Sequence, residues 1–138
     1  MNQAINNRIL TLSIAIVSFV SVGCSQQPTT TDISVKEFQQ QISRNKEAII
    51  FDVRTQGEVD AGVIDAGVLN YDFRQASFSD NVATLDKDKT YYVYCQAGVR
   101  SSQAVNIMKG MGFKNVFNVE GGIGQWRKEG LPVVEKAE

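Results

Sequence analysis

The stretch from Tyr91 to Gly112 constrains the fold of this chain more than any other. Tyr91-Tyr92-Val93-Tyr94 is rich in strand-favouring side chains. Cys95-Gln96-Ala97-Gly98-Val99-Arg100 then reads as a loop, and Ser101 to Met111 as a helix. In that helix Ala104, Ile107, Met108 and Met111 recur at i, i+3, i+4 and i+7, and Gly112 stands where a C-terminal cap glycine belongs. The same alternation runs through the rest of the chain. Ser34-Val35-Lys36-Glu37 is a capping box, Ile33 can staple onto Phe38, and Val35, Phe38 and Ile42 share a helical face. Ala48 to Val53 is a continuous apolar run up to Asp52, which suits a strand covered on both faces. Val68 to Asn70 and Val116 to Val119 read as further strands, Gln75 to Leu85 as a weakly patterned helix, and Ile123 to Glu129 as a closing helix before Gly130. Strands alternating with helices predict an α/β domain with a mainly parallel central sheet and helices on both faces.

The N-terminal stretch has a different character. After the single charge of Arg8, the fifteen residues Ile9 to Gly23 are all apolar or small. That is short of the roughly 20 residues a spanning helix needs, but it suits the apolar core of a secretory signal. Ser21-Val22-Gly23-Cys24 resembles a bacterial lipobox, in which Cys24 would be lipidated after cleavage; it departs from the usual pattern at Ser21, where leucine is commonest. The organisation expected is therefore a signal peptide over residues 1–23 and a polar tether over 24–32. A single domain over 33–134 and a short tail over 135–138 follow. The domain would be exported and held by its lipid at the periplasmic face of a bacterial membrane, with Ser25 pointing to the outer membrane by lipoprotein rules.

Composition narrows the chemistry. The chain has 138 residues, a net charge of -1, no histidine and two cysteines. A nucleic-acid partner is not expected, because no basic stripe is present to neutralise phosphates. Histidine-based triads and most zinc sites are excluded, and Gly121-Gly122 lacks the Gly-Lys-Ser/Thr of a phosphate loop, so neither metal nor cofactor is expected. Any nucleophile must work without an imidazole base. Cys95, at the carboxyl end of a strand and just before a helix, can do so. Backbone N–H groups of the loop and the helix N-terminus favour an anion there. Gly98 gives the loop backbone freedom, and Arg100 adds a guanidinium able to fork onto an oxyanion. A free thiol has a pKa of about 8.5, and lowering it by about two units needs under ~3 kcal/mol of differential stabilisation. A small buried hydrophobe is the competing reading of Cys95. Tyr91, Tyr92, Tyr94 and Trp126 read as packing residues.

Several motifs together resemble the rhodanese family. Cys95-Gln96-Ala97-Gly98-Val99-Arg100-Ser101 is similar to its Cys-x-x-Gly-x-Arg-Ser active-site loop, and Asp52-Val53-Arg54 to its Asp-x-Arg signature, with Glu58 at the usual acidic position. Ala61 to Asn70 resembles its Gly-His-Ile-Pro-Gly-Ala-x-Asn segment, with Val63 in place of His and Asp65 in place of Pro. Glu120 to Trp126 and Gly130 to Val133 resemble its Gly-Gly…Trp…Gly-x-Pro-Val ending. The resemblance implies a sulfurtransferase in which Cys95 takes sulfane sulfur from a donor such as thiosulfate and passes it, as a persulfide, to cyanide or a thiol. It implies that the backbone of Gln96, Ala97, Gly98, Val99, Arg100 and Ser101 cradles the persulfide. Arg100 would bind the donor or order the loop, and Asp52 and Arg54 would support it, either as a structural ion pair or in contact with substrate. Cysteine phosphatases also use a Cys…Arg loop, but with five intervening residues where this chain has four. A membrane-tethered persulfide carrier and a non-catalytic binding module of the same fold are the alternatives.

Overall fold

The computed structural model describes residues 31–137. The elements in chain order are β1 (Asp32–Ile33), α1 (Val35–Arg44), β2 (Ile49–Asp52), α2 (Gln56–Asp60), β3 (Leu69–Asn70), α3 (Phe78–Ala83), β4 (Thr90–Tyr94), α4 (Val99–Gly110), β5 (Asn115–Val119) and α5 (Gly122–Lys128). The five strands form one sheet in the order β1-β5-β4-β2-β3, and every neighbouring pair is parallel. This is the expected α/β architecture.

Strand pleating divides the interior in two. Tyr92 and Tyr94 of β4 point to the face covered by α1, α2 and α5, where Val35, Phe38, Val59, Val119, Ile123 and Trp126 are buried. Tyr91 and Val93 point to the other face, with Phe51, Phe78, Val82, Ala104, Val105 and Met108. The alternation follows from the two-residue period of a strand, and coverage on both faces explains why β2 up to Asp52 and β4 after Thr90 carry apolar and aromatic residues at successive positions. The tyrosines are packing residues, and Trp126 is buried with its indole N–H donating to the Pro132 carbonyl at 2.7 Å.

Local signals predicted at several ends are met. Ser34 caps α1 in a full capping box with Glu37. Gly112 and Gly130 adopt positive φ just beyond α4 and α5. Val63 is fully buried in the core in place of the family's histidine, and Asp65 builds its turn by accepting from the Gly67 N–H at 2.8 Å.

Two boundaries differ from expectation. Asp32, assigned to the tether, lies in β1, and the Thr31 carbonyl accepts from the Asn118 N–H. Val99 and Arg100, assigned to the loop, form the first turn of α4, because Gly98 makes the left-handed turn at φ +95 that lets the helix begin there. In the tail, the Ala137 N–H donates to the Ala66 carbonyl at 2.9 Å. The expected signal peptide, and Cys24 with it, lie outside the described residues. Among the described residues no helix is long and apolar enough to cross a membrane.

Candidate active site

The chain leaves β2 toward β3 on one side and β4 toward β5 on the other, so the carboxyl ends of β2 and β4 form the topological switch point where ligands bind in open α/β sheets. Cys95 is the first residue beyond β4, and only 1% of its surface is exposed. Its Sγ accepts a hydrogen bond from the Gly98 N–H at 3.1 Å, and the Ser101 hydroxyl lies 3.5 Å away. Burial opposes ionisation of the thiol. The Ser101 hydroxyl and the backbone N–H groups of Ser101, Ala97 and Gly98 outweigh it, and hold the Cys95 pKa below its ordinary value. The same Ser101 hydroxyl is 3.1 Å from the Gly98 carbonyl, so its one proton can go to either acceptor, the carbonyl or the sulfur.

The loop keeps its amides inward because its carbonyls are claimed from outside. The carbonyls of Cys95 and Gln96 accept from the N–H groups of Ile123 and Gly124, each at 2.9 Å, in the first turn of α5. Those are donors that a helix start leaves free. The approach is possible only because residue 122 is glycine: a Cβ there would land on the Cys95 carbonyl, at a backbone φ of +53. The Gly121-Gly122 turn, which is no phosphate loop, is thus the buttress of the cysteine loop. Gln96, Ala97 and Val99 point outward, Val99 with 67% of its surface exposed.

Arg100 is anchored by a residue whose role the sequence did not reveal. Its two terminal nitrogens donate to the two carboxylate oxygens of Glu58, at 2.8 and 2.7 Å. Glu58 also accepts from the Thr55 N–H and hydroxyl, closing a capping box on α2. Hydrogen bonding from Arg100, reinforced by Thr55 and opposed by partial burial, pulls the Glu58 pKa down from 4.5 to about 2. The signal for α2 was present as Thr55-Gln56-Gly57-Glu58, a Thr-x-x-Glu box, but a five-residue helix carrying a glycine has no apolar periodicity to announce it.

Asp52 and Arg54 stand at the end of β2, where Asp52 pairs with Tyr94, the residue before Cys95. The Arg54 guanidinium donates to both Asp52 oxygens and to the Gly62 carbonyl at 2.8 Å. Asp52 and Arg54 are buried, with exposures of 0% and 1%, and their hydrogen bonds make them an internal ion pair. It ties the end of β2 to the 62–64 segment. The Arg54 guanidinium sits 5.5 Å from the centre of the Tyr94 ring, whose hydroxyl accepts from the Ile64 N–H. Among the described residues no cluster of His, Cys, Asp or Glu is placed to hold a metal ion.

Residues 34–129 match the family model of the Rhodanese-like domain. The protein YtwF of Bacillus subtilis, assigned by name to the sulfurtransferases, is 36% identical over 101 residues, covering 73% of this chain and 94% of that protein. A sulfurtransferase of Allochromatium vinosum is 31% identical over 104 residues, covering 75% and 94%. The crystal structure of a rhodanese-like domain protein from Staphylococcus aureus superposes with a TM-score of 0.65 at 30% identity, covering 77% of this chain and 98% of that one. A cysteine loop cradled by its own amides at the switch point of a parallel sheet and the match along nearly the whole described domain lead to one assignment: the chain belongs to the rhodanese-like family of sulfurtransferases.

Proposed function

We propose that the protein moves sulfane sulfur from thiosulfate to a thiol or cyanide through a persulfide on Cys95. The observation that carries this reading is the ring of N–H and O–H donors that lowers the Cys95 pKa despite its burial. In the first step the Cys95 thiolate attacks the outer sulfur of thiosulfate, the S–S bond breaks, and sulfite leaves with the bonding pair. In the second, a thiolate or cyanide attacks the terminal sulfur of the persulfide, and Cys95 departs as the thiolate. The two steps are nucleophilic displacements at sulfur, so no external oxidant or reductant is required. The amides of Ala97, Gly98 and Ser101 stabilise the anionic terminus left on Cys95. Because Glu58 occupies the Arg100 fork, Arg100 orders the loop rather than gripping the donor's sulfonate with that fork.

The test is thiocyanate formation from thiosulfate and cyanide by wild type, Cys95→Ser and Arg100→Ala, alongside alkylation of Cys95 as a function of pH. Cys95→Ser should be inactive. In Arg100→Ala, alkylation and turnover should fall together. Loss of turnover with alkylation preserved would instead make Arg100 the donor-binding residue, and full turnover in Cys95→Ser would refute the mechanism.

We infer further that the domain is exported and anchored by lipid on Cys24 at the periplasmic face of a bacterial membrane. Supporting this are the apolar segment Ile9 to Gly23 and the small residues ahead of Cys24. A fatty-acid label on the wild type that is lost in Cys24→Ala is expected; an unlabelled soluble protein would contradict it.

A further inference from the structure

Two clefts of about 430 and 400 Å³ flank the cysteine loop on the β5 side, and both are lined by Ala97, Glu120 and Gly121. Asp32 joins the first and Glu129 the second, and neither cleft is lined by a lysine or arginine. All three carboxylate residues are exposed. The first cleft also holds Asn118, with 3% of its surface exposed; its Nδ2 donates to Asp32 at 2.7 Å, while its Oδ1 is buried with no hydrogen-bond partner among the described residues. A buried acceptor without a donor is costly, on the order of 1–3 kcal/mol, and a donor entering the cleft as the Asn118 side chain turns toward it would relieve that cost. On the loop side of that cleft stands Val99, one of two large apolar side chains strongly exposed among the described residues.

The charged side chains of the cleft are thus both carboxylates, beside an exposed apolar knob and next to the loop that holds Cys95. We propose that the first cleft receives a lysine or arginine side chain of a protein or peptide sulfur acceptor, which thereby brings its own thiol to the Cys95 persulfide. The acceptor's cation would sit between Asp32 and Glu120 and donate to Asn118 Oδ1, and its apolar surface would cover Val99. The acceptor thiolate then attacks the terminal sulfur of Cys95–S–S⁻, that S–S bond breaks, a new persulfide forms on the acceptor, and Cys95 regains its thiolate. This rests on the persulfide reading above and names the class of acceptor that reading leaves open.

The experiment loads Cys95 first and confirms one added sulfur by intact mass. Transfer is then timed to three peptides of one length, bearing Lys-Cys-Lys, Ser-Cys-Ser or Glu-Cys-Glu at the centre, in low and high salt. Wild type should transfer to the lysine peptide at least about tenfold faster than to the serine peptide at low salt, with the glutamate peptide slowest and the spread shrinking as salt screens it. In the double variant Asp32→Asn, Glu120→Gln the three rates should converge while loading by thiosulfate persists. Equal rates for the three peptides in wild type overturn the docking cleft, as does an unchanged preference in the folded double variant. Rates are compared per peptide thiolate, from the measured thiol pKa of each peptide, because flanking lysines ionise the acceptor thiol more readily and flanking glutamates less. Failure to load Cys95 at all strikes instead at the persulfide reading beneath it.

Discussion

Replacing Glu58 with glutamine tests how the loop arginine is held. Glu58→Gln keeps the size of the side chain but removes the charge that the Arg100 fork clasps. Two charge-assisted hydrogen bonds are lost or weakened, each worth roughly 1.5–3 kcal/mol when well sheltered. The side chains are 17% and 30% exposed, so solvent reduces that figure. The fall of the Glu58 pKa from 4.5 to about 2 bounds it independently. At ~1.4 kcal/mol per pH unit the bound is about 3.5 kcal/mol, and about 2 kcal/mol remains after screening. A domain of ~100 residues loses about 4–8 °C of Tm per kcal/mol, so the variant should melt about 8–16 °C lower at neutral pH. The pH dependence has a definite sign. A carboxylate whose folded pKa lies below its unfolded value stabilises above about pH 4.5, and that contribution disappears as pH falls toward 2. Urea unfolding of both proteins at pH 7, 4 and 3 should therefore show a gap that narrows as the solution is acidified, alongside slower sulfur loading of the variant at neutral pH. A gap that stays constant with pH, or one below about 0.5 kcal/mol at pH 7, would refute the reasoning.

Ser101→Ala removes the hydroxyl nearest Sγ, so alkylation of Cys95 by iodoacetamide should move to higher pH; an unmoved profile would leave the cradle to the backbone alone. Gly122→Ala sets a methyl against the Cys95 carbonyl at a left-handed backbone position, and about 2–4 kcal/mol of stability should be lost in urea unfolding, with sulfur loading falling as well. Asp52→Ala leaves Arg54 buried without its partner, which should cost about 3–5 kcal/mol; a loss under 1 kcal/mol would show that the pair is no brace.

What the sequence disclosed was mostly local. The Ser34 capping box, the β4–loop–α4 unit and the cap glycines each depend on residues a few positions apart, where backbone geometry decides the outcome. The candidate nucleophile Cys95 is legible for the same reason: strand, loop and helix are contiguous around it. The parts that escaped depend on distant partners. Glu58 meets Arg100 across 42 positions, and Asn118 meets Asp32 across 86. Neither spacing leaves a periodic trace. Gly122 looked like an ordinary turn residue until the carbonyl of Cys95 was found against it. The double role of Glu58, helix cap and arginine anchor, likewise emerges only when α2 and α4 are brought together by the sheet between them.

The claim that Cys95 carries the sulfur is tested most directly by the mass of the intact protein after incubation with thiosulfate and removal of excess donor. Wild type should gain the mass of one sulfur atom, lose it on addition of cyanide or a thiol, and show the modification on the peptide containing Cys95. Cys95→Ser should gain nothing under the same conditions. Equal sulfur loading of the two proteins, or loading of the wild type at a site other than Cys95, would contradict the account.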